Sequence, residues 1–512
     1  MNKKIIAYDL GTGGNKASLY DSDGVCLSST FCAYDTLYPQ SGMHEQRPAD
    51  WWDSIVNSTR QLMTVSGVDK NEIECLAISG HSLGVVPIDK KGRLLRESTP
   101  IWSDSRAGAQ ADSFFEKTDE DNWYMTTGNG FPAKLYSVFK ILWYLDNEPD
   151  VFKEINKVIG TKDYINFKLT GQIKTDYSYA SGCGVYDLKK WKYSPEIIKV
   201  SGLDESIFPE IVPSTEIIGE LTPEAAQSLG LLQKVKVACG GVDNSCMALG
   251  ARNNKSGRVY LSLGSSAWIA VSADNPVLDV NSRPFVFSHV IPGMFTSAVS
   301  IFSAGNSFRW LRDNICPDLV EQAAQTNQDV YDLLGQLAEA SPPGANKLLF
   351  NPSLAGGSSQ EPNANIRGAF SGLDLGHSRA DLVRAGMEGI AMNLGFVLKV
   401  LKNFTNLSNE MVIVGGGSKS SLWRQIFADV FEMNIVKTNI GEEAGSLGAA
   451  ALAAIGCGLW KDFSKVDQIH NVESITEPIL ENNQVYKKLE PVYEMLRNSQ
   501  AEIGESLSQI SI

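Results

Sequence analysis

The sequence lacks the segments that direct proteins into or across membranes. Its 512 residues begin with a charged start that runs directly into an apolar strand containing Asp9, without a signal-peptide core or cleavage site. The longest weakly polar stretch, residues 445–459, is rich in alanine and glycine and too short to span a bilayer. We therefore expect a cytoplasmic protein that makes no membrane contact.

Paired cysteines and basic clusters are lacking as well. The eight cysteines are scattered without the spacing of metal ligands, so disulfides and zinc are not expected. The net charge of -14 leaves no stripe of lysine and arginine that could bind nucleic acid, and we expect no nucleic-acid partner. Any anionic ligand must be held locally, by backbone N–H groups and helix N-termini.

The most informative feature that is present is a turn that occurs twice. Residues 9–14 read Asp-Leu-Gly-Thr-Gly-Gly, and residues 262–266 read Ser-Leu-Gly-Ser-Ser. Apolar runs flank both turns, at residues 5–10, 16–20, 259–263 and 267–271. This pattern predicts two β-hairpins with tight turns.

Both turns are suited to hold a polyphosphate, because small residues let successive N–H groups converge on an anion. Only the first turn follows an acid, which makes Asp9 a candidate for holding Mg²⁺ or its water shell. Glycine and serine turns also join strands in many proteins, so an ordinary hairpin remains the alternative for each turn. The candidate phosphate contacts are Gly11, Thr12, Gly13, Gly14, Gly264, Ser265 and Ser266.

The rest of the chain repeats this organisation in two halves. The first half predicts a three-strand meander, a helix that begins near Pro48 and ends before Gly67, and a buried strand at 73–78. The second half predicts a comparable meander, followed by helices near 378–401 and 420–431. Mixed sheets packed with helices form an α/β layer architecture, so we predict a duplicated α/β fold.

Asp243 lies in the segment Gly240-Gly241-Val242-Asp243-Asn244-Ser245, at a predicted turn from strand to helix. One interpretation is that Asp243 or Asn244 simply caps the helix. The other is that Asp243 accepts a proton from an attacking hydroxyl, since phosphoryl transfer depends on positioning and charge neutralisation. The residues alone leave both interpretations open.

Three consecutive glycines, Gly415, Gly416 and Gly417, precede Ser418 between an apolar strand and a predicted helix. The absence of side chains lets a flat ring or a phosphate lie against the main chain where the helix begins. A plain packing turn is the alternative, although it does not require three glycines. The segment favours a nucleotide contact.

Polar and aromatic residues cluster after the strand at 73–78. Residues 80–84 read Gly-His-Ser-Leu-Gly, and Trp102, Asp104 and Arg106 follow. Taken singly, a histidine or tryptophan is more often structural, and Asp104 with Arg106 could form a surface ion pair. Their grouping suggests a wall that hydrogen-bonds several hydroxyl groups and stacks on a carbon skeleton.

These motifs together resemble the FGGY carbohydrate kinases of the actin and hexokinase superfamily, over about residues 5–459. The most specific stretches are Tyr8-Asp9-Leu10-Gly11-Thr12, Trp102-Ser103-Asp104-Ser105-Arg106, Lys162-Asp163-Tyr164, Leu169-Thr170-Gly171, Thr175-Asp176-Tyr177-Ser178, Gly240 to Asn244, Arg367-Gly368-Ala369-Phe370, Arg379-Ala380-Asp381-Leu382 and Gly415 to Ser418.

The resemblance implies an α/β fold of two ribonuclease-H-like domains with an interdomain cleft. Residues 1–250 would bind the sugar and carry the catalytic base, and residues 251–512 would bind ATP. Asp243 falls on the family's base, Asp9 would organise Mg²⁺, and the family commonly forms homodimers. The implied sugar contacts are His81, Ser82, Trp102, Asp104, Asp243 and Asn244. The implied ATP contacts are the two phosphate turns together with Gly415, Gly416, Gly417 and Ser418.

Within the family the sequence looks most like xylulokinases but differs at the sugar. Those enzymes read Gly-Gln-Met-His-Gly where residues 80–84 read Gly-His-Ser-Leu-Gly, so Leu83 occupies the position of an expected histidine. The Arg-Glu pair of glycerol kinases is also missing. We expect an ATP-dependent kinase for a terminal hydroxyl of a small ketose or related polyol. The alternatives are an actin-like ATPase module without kinase activity and a kinase for another substrate of the family, such as a hexulose.

Overall fold

A computed structural model describes residues 3–358 and 360–510, and this part of the chain forms 24 β-strands and 18 α-helices. The strands are β1 (Lys4–Leu10), β2 (Gly14–Asp21), β3 (Cys26–Ala33), β4 (Glu45–Gln46), β5 (Ile73–Gly80), β6 (Val86–Ile88), β7 (Thr99–Pro100), β8 (Lys157–Ile159), β9 (Lys174–Asp176), β10 (Tyr186–Asp187), β11 (Lys192–Tyr193), β12 (Glu210–Val212), β13 (Ile217–Glu220), β14 (Lys236–Ala238), β15 (Gly241–Val242), β16 (Val259–Leu263), β17 (Ala267–Ala273), β18 (Phe285–Ser288), β19 (Phe295–Ile301), β20 (Leu349–Asn351), β21 (Ala369–Ser371), β22 (Glu410–Val414), β23 (Asn434–Thr438) and β24 (Val472–Thr476).

The helices range from one turn to a C-terminal helix with Pro491 inside it. They are α1 (Pro48–Ser66), α2 (Gly108–Phe115), α3 (Glu120–Thr127), α4 (Ser137–Asn147), α5 (Pro149–Glu154), α6 (Thr161–Thr170), α7 (Tyr177–Ala180), α8 (Pro195–Ser201), α9 (Pro223–Leu229), α10 (Asp243–Gly250), α11 (Gly305–Ile315), α12 (Pro317–Thr326), α13 (Val330–Glu339), α14 (Arg379–Phe404), α15 (Ser421–Phe431), α16 (Ala444–Gly456), α17 (Lys465–Ile469) and α18 (Leu480–Ser508).

Helix α1 shows how local sequence sets an element. Pro48 occupies its first turn, where a missing N–H costs nothing, and Gly67 ends it in the left-handed conformation with φ of 63°. Trp51, Ile55 and Leu62 recur at helical spacing and are buried. The helix predicted between Pro48 and Gly67 is confirmed.

The first sheet contains seven strands in the described chain, in the order β13-β14-β5-β1-β2-β3, with β15 paired to the end of β5. Strands β1, β2 and β3 form the predicted antiparallel meander. Strand β5 runs parallel to β1, and β14 runs parallel to β5. Apolar side chains of these strands, among them Ile6, Tyr8 and Ile78, form one core cluster with those of α1.

The second sheet has the order β18-β19-β17-β16-β22-β23-β24 over the residues that the structure describes. Strand β17 is antiparallel to β16, whereas β22 runs parallel to β16 and β23 parallel to β22. The order β19-β17-β16-β22-β23-β24 therefore matches β3-β2-β1-β5-β14-β13 strand for strand. The predicted duplicated α/β fold is confirmed.

The described chain folds into two compact units, and neither is one continuous stretch of sequence. Unit 1 contains residues 3–256, 272–297 and 443–470. Unit 2 contains residues 257–271, 298–442 without 359, and 471–510. The assignment of residues 1–250 to the sugar and 251–512 to ATP stays a prediction.

Helices α10 and α16 of unit 1 pack backbone against backbone. A Cβ added to Gly250 would overlap the carbonyl oxygen of Ala444, and one added to Gly448 would overlap that of Cys246. The two helices begin at Asp243 and Ala444, so this close packing fixes the separation of their first turns. Over the described residues, no helix is long and apolar enough to cross a membrane.

Candidate active site

The two predicted hairpins are present, and a backbone bond from the first glycine closes each turn, to the third residue on in the first and to the second residue on in the other. The N–H of Gly11 donates to the carbonyl of Gly14 over 3.0 Å, and that of Gly264 donates to Ser266 over 3.0 Å. Gly13 and residues 264–266 are exposed, whereas the strands on either side are buried. Both turns therefore present backbone N–H groups that a ligand could reach.

Asp9 lies near the end of β1, next to the start of α16. Its Oδ1 accepts a hydrogen bond from Ser79 Oγ at 2.9 Å. A Cβ added to Gly445 would lie 2.8 Å from Asp9 Oδ2, so the first turn of α16 approaches this carboxylate closely because residue 445 has no side chain. Burial raises the pKa of Asp9, while Ser79 and Lys16 oppose that shift.

Three parallel strands bring separate sequence motifs to one edge of the first sheet. Strands β1 and β15 both run parallel to β5, so Leu10, Gly80 and Val242 end at the same edge. His81 follows β5, and its backbone N–H donates to the carbonyl of Leu10 over 3.0 Å. Asp243 follows β15 directly. In α/β sheets, ligands bind outside the carboxyl ends of such strands.

Asp243 is the first residue of α10, not its cap. The N-cap position is Val242, and no side chain caps the helix. The Oδ1 atom of Asp243 accepts the N–H of Asn244 at 2.8 Å. Burial raises the pKa of Asp243 to about 7, and the nearby charge of Asp9 adds to the shift. The helix-cap interpretation is therefore wrong for Asp243, and its pKa is suited to a base at neutral pH.

His81, directly after β5, has a buried imidazole. It is 1% exposed and packs edge-on against Trp51 with ring centroids 5.5 Å apart. Neither ring nitrogen has a hydrogen-bond partner among the described residues. Burial lowers the pKa of His81 to about 3, so the ring is neutral. Buried polar groups are normally paired, which suggests that a ligand completes this one.

Leu83, two residues further, is a core residue. Its backbone adopts a left-handed conformation with φ of 59°, which is uncommon for leucine. Its side chain is 1% exposed and belongs to an apolar cluster with Val85 and Phe139. An imidazole at this position would enter an apolar core.

Asp104 forms a buried ion pair with Arg106 instead of a surface pair. Its Oδ1 accepts from the backbone N–H and Nε of Arg106, and its Oδ2 accepts from Arg106 Nη2 and the N–H of His44. These bonds occupy the usual acceptor directions of a carboxylate. The sugar contact of Asp104 stays a prediction, and the geometry favours a role in shaping its loop.

Trp102 connects the predicted sugar wall to the first phosphate turn. Its indole Nε1 donates to Thr12 Oγ1 at 2.9 Å, and the ring is 37% exposed. Ser82 and Asn244 are both mostly buried. Unit 1 thus brings Asp9, Thr12, His81 and Trp102 into neighbouring positions, and their role in a sugar and phosphate site stays a prediction.

Sequence reasoning missed Lys140, a buried lysine of α4. Its Nζ donates to the carbonyls of Ile101 at 2.6 Å and Leu83 at 3.3 Å, which ties together the two loops of the predicted wall. The nearby charge of Asp104 favours the protonated form of this ammonium group. Burial lowers the pKa of Lys140 to about 7. Its apolar helical neighbours offered a weak sequence signal that this lysine faces the core.

Unit 2 contains a cavity of about 360 Å³ that brings both of its predicted nucleotide segments together. Gly264 and Ser265 line one part of it, and Gly416 and Gly417 line another. The other lining residues are Leu263, Gly305, Phe308, Arg309, Asp329, Tyr331, Asp332, Met387, Lys419, Ser420 and Trp423.

Packing explains two of the three glycines but not the third. Gly415 has φ of 89°, and a Cβ there would lie 2.6 Å from the carbonyl oxygen of Leu263. A Cβ on Gly417 would overlap the side chain of Leu263. Gly416 has open space around it and lines the cavity. Ser418 closes the turn by donating from Oγ to the carbonyl of Gly415 at 2.7 Å.

Aromatic residues that the sequence did not single out form one side of this cavity. Phe308 stacks on Tyr331 with ring centroids 6.0 Å apart and packs against Trp423 at 5.0 Å. They come from α11, α13 and α15. Helical periodicity marks these residues as apolar faces, and nothing local distinguishes a cavity wall from a core.

Metal ligands are sparse in the described chain. Among residues 3–358 and 360–510, no group of three or more histidine, cysteine and acidic side chains could hold an ion. Mg²⁺ usually binds through one or two carboxylates together with substrate phosphates and waters. Asp9, with Asp243 nearby, fits that pattern.

Comparison with known proteins places both halves of the chain in one family. A model of the FGGY family of carbohydrate kinases, N-terminal domain, matches residues 4–250. A model of the C-terminal domain of the same family matches residues 259–457.

Relatives resemble the chain over its full length. A xylulose kinase of Bacillus subtilis (strain 168) is 30% identical over 506 residues, covering 99% of each chain. The structure is similar to that of a ligand-bound xylulose kinase from Lactobacillus acidophilus, with a TM-score of 0.88, 26% identity and 98% of each chain covered. A gluconate kinase from Lactobacillus acidophilus is equally similar, with a TM-score of 0.87, 26% identity, and 98% of this chain and 99% of that one covered.

Proposed function

The chain belongs to the FGGY family of carbohydrate kinases, and from that premise we propose that it transfers the γ-phosphoryl group of ATP to a terminal hydroxyl of a small ketose or related polyol. The observation that carries the proposal is the half-buried carboxylate of Asp243, at the strand edge where Asp9 and His81 also lie. Its pKa of about 7 keeps a large ionised fraction at neutral pH.

In the proposed reaction, the substrate hydroxyl oxygen attacks the γ-phosphorus of ATP. The new O–P bond forms as the bond from phosphorus to the bridging β,γ-oxygen breaks, and ADP leaves with that electron pair. Asp243 orients the hydroxyl and takes its proton. Because the transition state is loose, the proton moves late, and a carboxylate of this basicity is sufficient.

In unit 1 we assign phosphate contacts to Gly11, Thr12, Gly13 and Gly14, and in unit 2 to Gly264, Ser265 and Ser266. The support is the exposure of Gly13 in the first turn and of all three residues in the second. We assign adenosine to the unit 2 cavity at Gly415, Gly416, Gly417 and Ser418. The open space at Gly416 and the neighbouring aromatic rings support a flat ligand there.

Asp9 is the residue that we propose to hold Mg²⁺, directly or through its waters. When bound, the ion would supply charge neutralisation for the phosphates. Burial has raised the pKa of Asp9, and a bound cation would favour its ionised form. The chain's own contribution is a carboxylate held in place by Ser79.

His81, Ser82, Trp102 and Asn244 are the proposed sugar contacts. The unpartnered ring of His81 supports a hydrogen bond to a sugar hydroxyl, and the half-exposed indole of Trp102 supports stacking on carbon. Known relatives include a xylulose kinase and a gluconate kinase of equal structural similarity. D-Xylulose and gluconate are therefore the first substrates to compare, with hexuloses and polyols next.

A sugar-dependent release of ADP tests this proposal. Purified protein with ATP and Mg²⁺ is assayed against D-xylulose, gluconate, other pentuloses, hexuloses and polyols. We expect ADP release to rise at least tenfold above the sugar-free rate with one or a few of these substrates. ATP turnover that is indifferent to every sugar would favour the alternative, an actin-like ATPase module, and would refute the kinase assignment.

Asp243→Asn tests the base within the same assay. We expect turnover with the best substrate to fall by a factor on the order of 10² or more, since a lost general base costs that much. The fold and the affinity for ATP should remain, because the amide keeps the size of the carboxylate. Near-normal turnover in a folded variant would show that Asp243 is not the base.

Two further properties belong to the proposal. We place the protein in the cytoplasm, where its ATP and sugar phosphates would be used. We also propose a homodimer, because the family commonly forms one, and sedimentation velocity measures it directly.

A further inference from the structure

A network of buried charged side chains lies next to the turn that carries Asp243, and the proposed mechanism does not use it. The Nζ atom of Lys162 lies 2.6 Å from Asp163 Oδ1 and 3.0 Å from Asp176 Oδ1. All three residues are at most 1% exposed. They belong to the motifs at 162–164 and 175–178, which mark the family resemblance but had no assigned role.

Such a network is costly to bury, and apolar residues of the same volume often stabilise a fold equally well. Burial lowers the pKa of Lys162, but the charges of Asp163 and Asp176 outweigh that effect and keep it well above its ordinary value. The lysine is therefore charged. Stability alone therefore does not explain this charge network. Its contacts with the backbone of the turn before Asp243 indicate another role.

Ser178 connects the network to the Asp243 turn. Its Oγ accepts the backbone N–H of Val242 at 3.0 Å and donates to Asp176 Oδ2. Val242 is the residue directly before Asp243. Ser214 Oγ donates to the same Asp176 oxygen at 2.7 Å, and only the backbone carbonyl of Ser214 bonds to the turn among the described residues, by accepting the N–H of Gly240 at 3.0 Å.

The other end of the turn is held as well. The carbonyl of Cys239 accepts from Asn166 Nδ2 at 2.8 Å and from Lys162 Nζ at 3.4 Å. Gly240 has φ of 75°, and a Cβ there would overlap the carbonyl oxygen of Ile78. The turn is thus anchored before and after its glycines, by the same buried group of residues.

We propose that Ser178, oriented by Asp176, is a positioning residue for Asp243. It fixes the peptide that precedes the base and so holds the carboxylate in line with the attacking hydroxyl. This inference rests on the proposed role of Asp243 as the base. A small displacement of a reacting group costs rate much more than binding, so loss of Ser178 should affect kcat and spare KM.

The first test is Ser178→Ala, which removes the acceptor of the Val242 N–H. We expect kcat to fall by about tenfold or more, with KM for sugar and ATP within about threefold of the wild type. Ser214→Ala is the matched control, because it deletes a donor to the same Asp176 oxygen and keeps the backbone bond of residue 214 to Gly240. Its kcat should stay within about threefold of the wild type.

Thermal unfolding and ATP binding show whether each variant is folded. If Ser178→Ala does not fold, Ser178→Cys replaces it, since sulfur keeps a similar side chain and accepts hydrogen bonds weakly. The same loss of kcat with preserved KM is expected. An equal loss of kcat in Ser214→Ala would overturn the proposal, because the effect would then be general disruption of the network.

A double-mutant cycle with Asp243→Asn decides whether Ser178 acts through Asp243. If it does, Ser178→Ala will not lower the residual rate of Asp243→Asn by more than about twofold. Multiplying losses would overturn the positioning role. A slow Asp243→Asn with a Ser178→Ala variant at the wild-type rate would overturn this inference alone. Near-normal turnover of Asp243→Asn would instead refute the base assignment and the inference with it.

Discussion

Strands β5 and β22 occupy the same place in the two sheets, parallel to the first strand of each hairpin, yet different residues follow them. β5 is followed by the buried, unpartnered imidazole of His81. β22 is followed by three glycines, of which Gly416 leaves open space. One framework thus offers a polar group at one strand end and bare backbone at the other.

The first strands of the two hairpins, β1 and β16, also carry different residues at equivalent positions. Asp9 and Ser262 both lie two residues before the first glycine of their turns. In the sheet register, Asp9 pairs with Ser79, which donates to it, whereas Ser262 pairs with Val414. A duplicated fold can therefore divide a reaction, with acid and base chemistry in one copy and shape recognition in the other.

Replacing Asp9 and Ser262 by alanine in separate variants should show the largest difference between the two hairpins. We expect Asp9→Ala to lower kcat by a factor on the order of 10² or more, through loss of charge placed for the phosphates. Ser262→Ala should change kcat by less than about threefold, because exposed or half-buried hydroxyls contribute little. Steady-state kinetics with saturating ATP and Mg²⁺ measure both. Equal losses would mean that the two hairpins have equivalent roles.

His81→Ala should lower kcat/KM for the best sugar by about 10- to 100-fold, since a site built for a hydroxyl loses its partner. KM for ATP should be unchanged. The matched variant Trp51→Phe keeps an aromatic neighbour for the imidazole and should have a small effect on sugar kinetics. A His81→Ala enzyme with normal sugar kinetics would show that this imidazole is a core residue only.

A residue of unit 1, Asp243, should also set the pH dependence of kcat/KM. With a pKa of about 7 for Asp243, kcat/KM should fall by about tenfold for each pH unit below 7 and level off above it. His81, with a pKa of about 3, contributes no limb in that range. A pH–rate profile measures this. A pH–rate profile that stays flat from about pH 5.5 to about pH 8 would exclude Asp243 as the titrating base.

The raised pKa of Asp243 affects the free energy of unfolding in the opposite direction: kcat/KM rises with pH, whereas stability falls. Asp243 has an ordinary pKa of 3.8 and a folded value of about 7, so the folded state holds the extra proton between them. The stabilisation by this group is fully present below its unfolded pKa and is lost as pH rises through 7. Denaturant unfolding at several pH values should show this component in the wild type and lose it in Asp243→Asn.

Gly416→Ala should have the smallest effect, a rise in KM for ATP of about three- to tenfold without a change in melting temperature. The added methyl group enters open space in the cavity and meets no protein atom within 4 Å. Gly417→Ala is the contrasting variant, because its methyl group overlaps Leu263 and should lower the melting temperature. An unchanged KM in Gly416→Ala would remove the nucleotide from this turn.

Sequence predicted the parts of the fold that are written locally. The hairpins, α1 and the strand edges follow from apolar periodicity and turn residues, and Asp9 and Asp243 are candidates because each lies beside a turn that contains glycine. The cavity wall of Phe308, Tyr331 and Trp423 was not, since its members come from three helices. Tertiary packing alone tells a ligand-facing ring from a core ring.

Sequence patterns also do not predict which charged side chains are buried. A charged side chain is expected at the surface unless partners are supplied, and those partners are distant in sequence. A surface ion pair is one alternative that the sequence offers for Asp104 and Arg106, yet Glu45 completes a buried group around them. Lys140 was overlooked for the same reason, because carbonyls of two separate loops satisfy it.

The contact of α10 with α16 has a consequence for how the chain tolerates variation. Gly250 and Gly448 touch no proposed ligand, yet any larger residue there would push apart two helices whose first turns lie at Asp243 and Asp9. A saturation mutagenesis map should therefore show that these glycines tolerate substitution as poorly as Asp9 and Asp243 do. Substitutions around His81 can therefore accumulate, whereas the spacing of Asp9 and Asp243 depends on two glycines that have no room for even one methyl group.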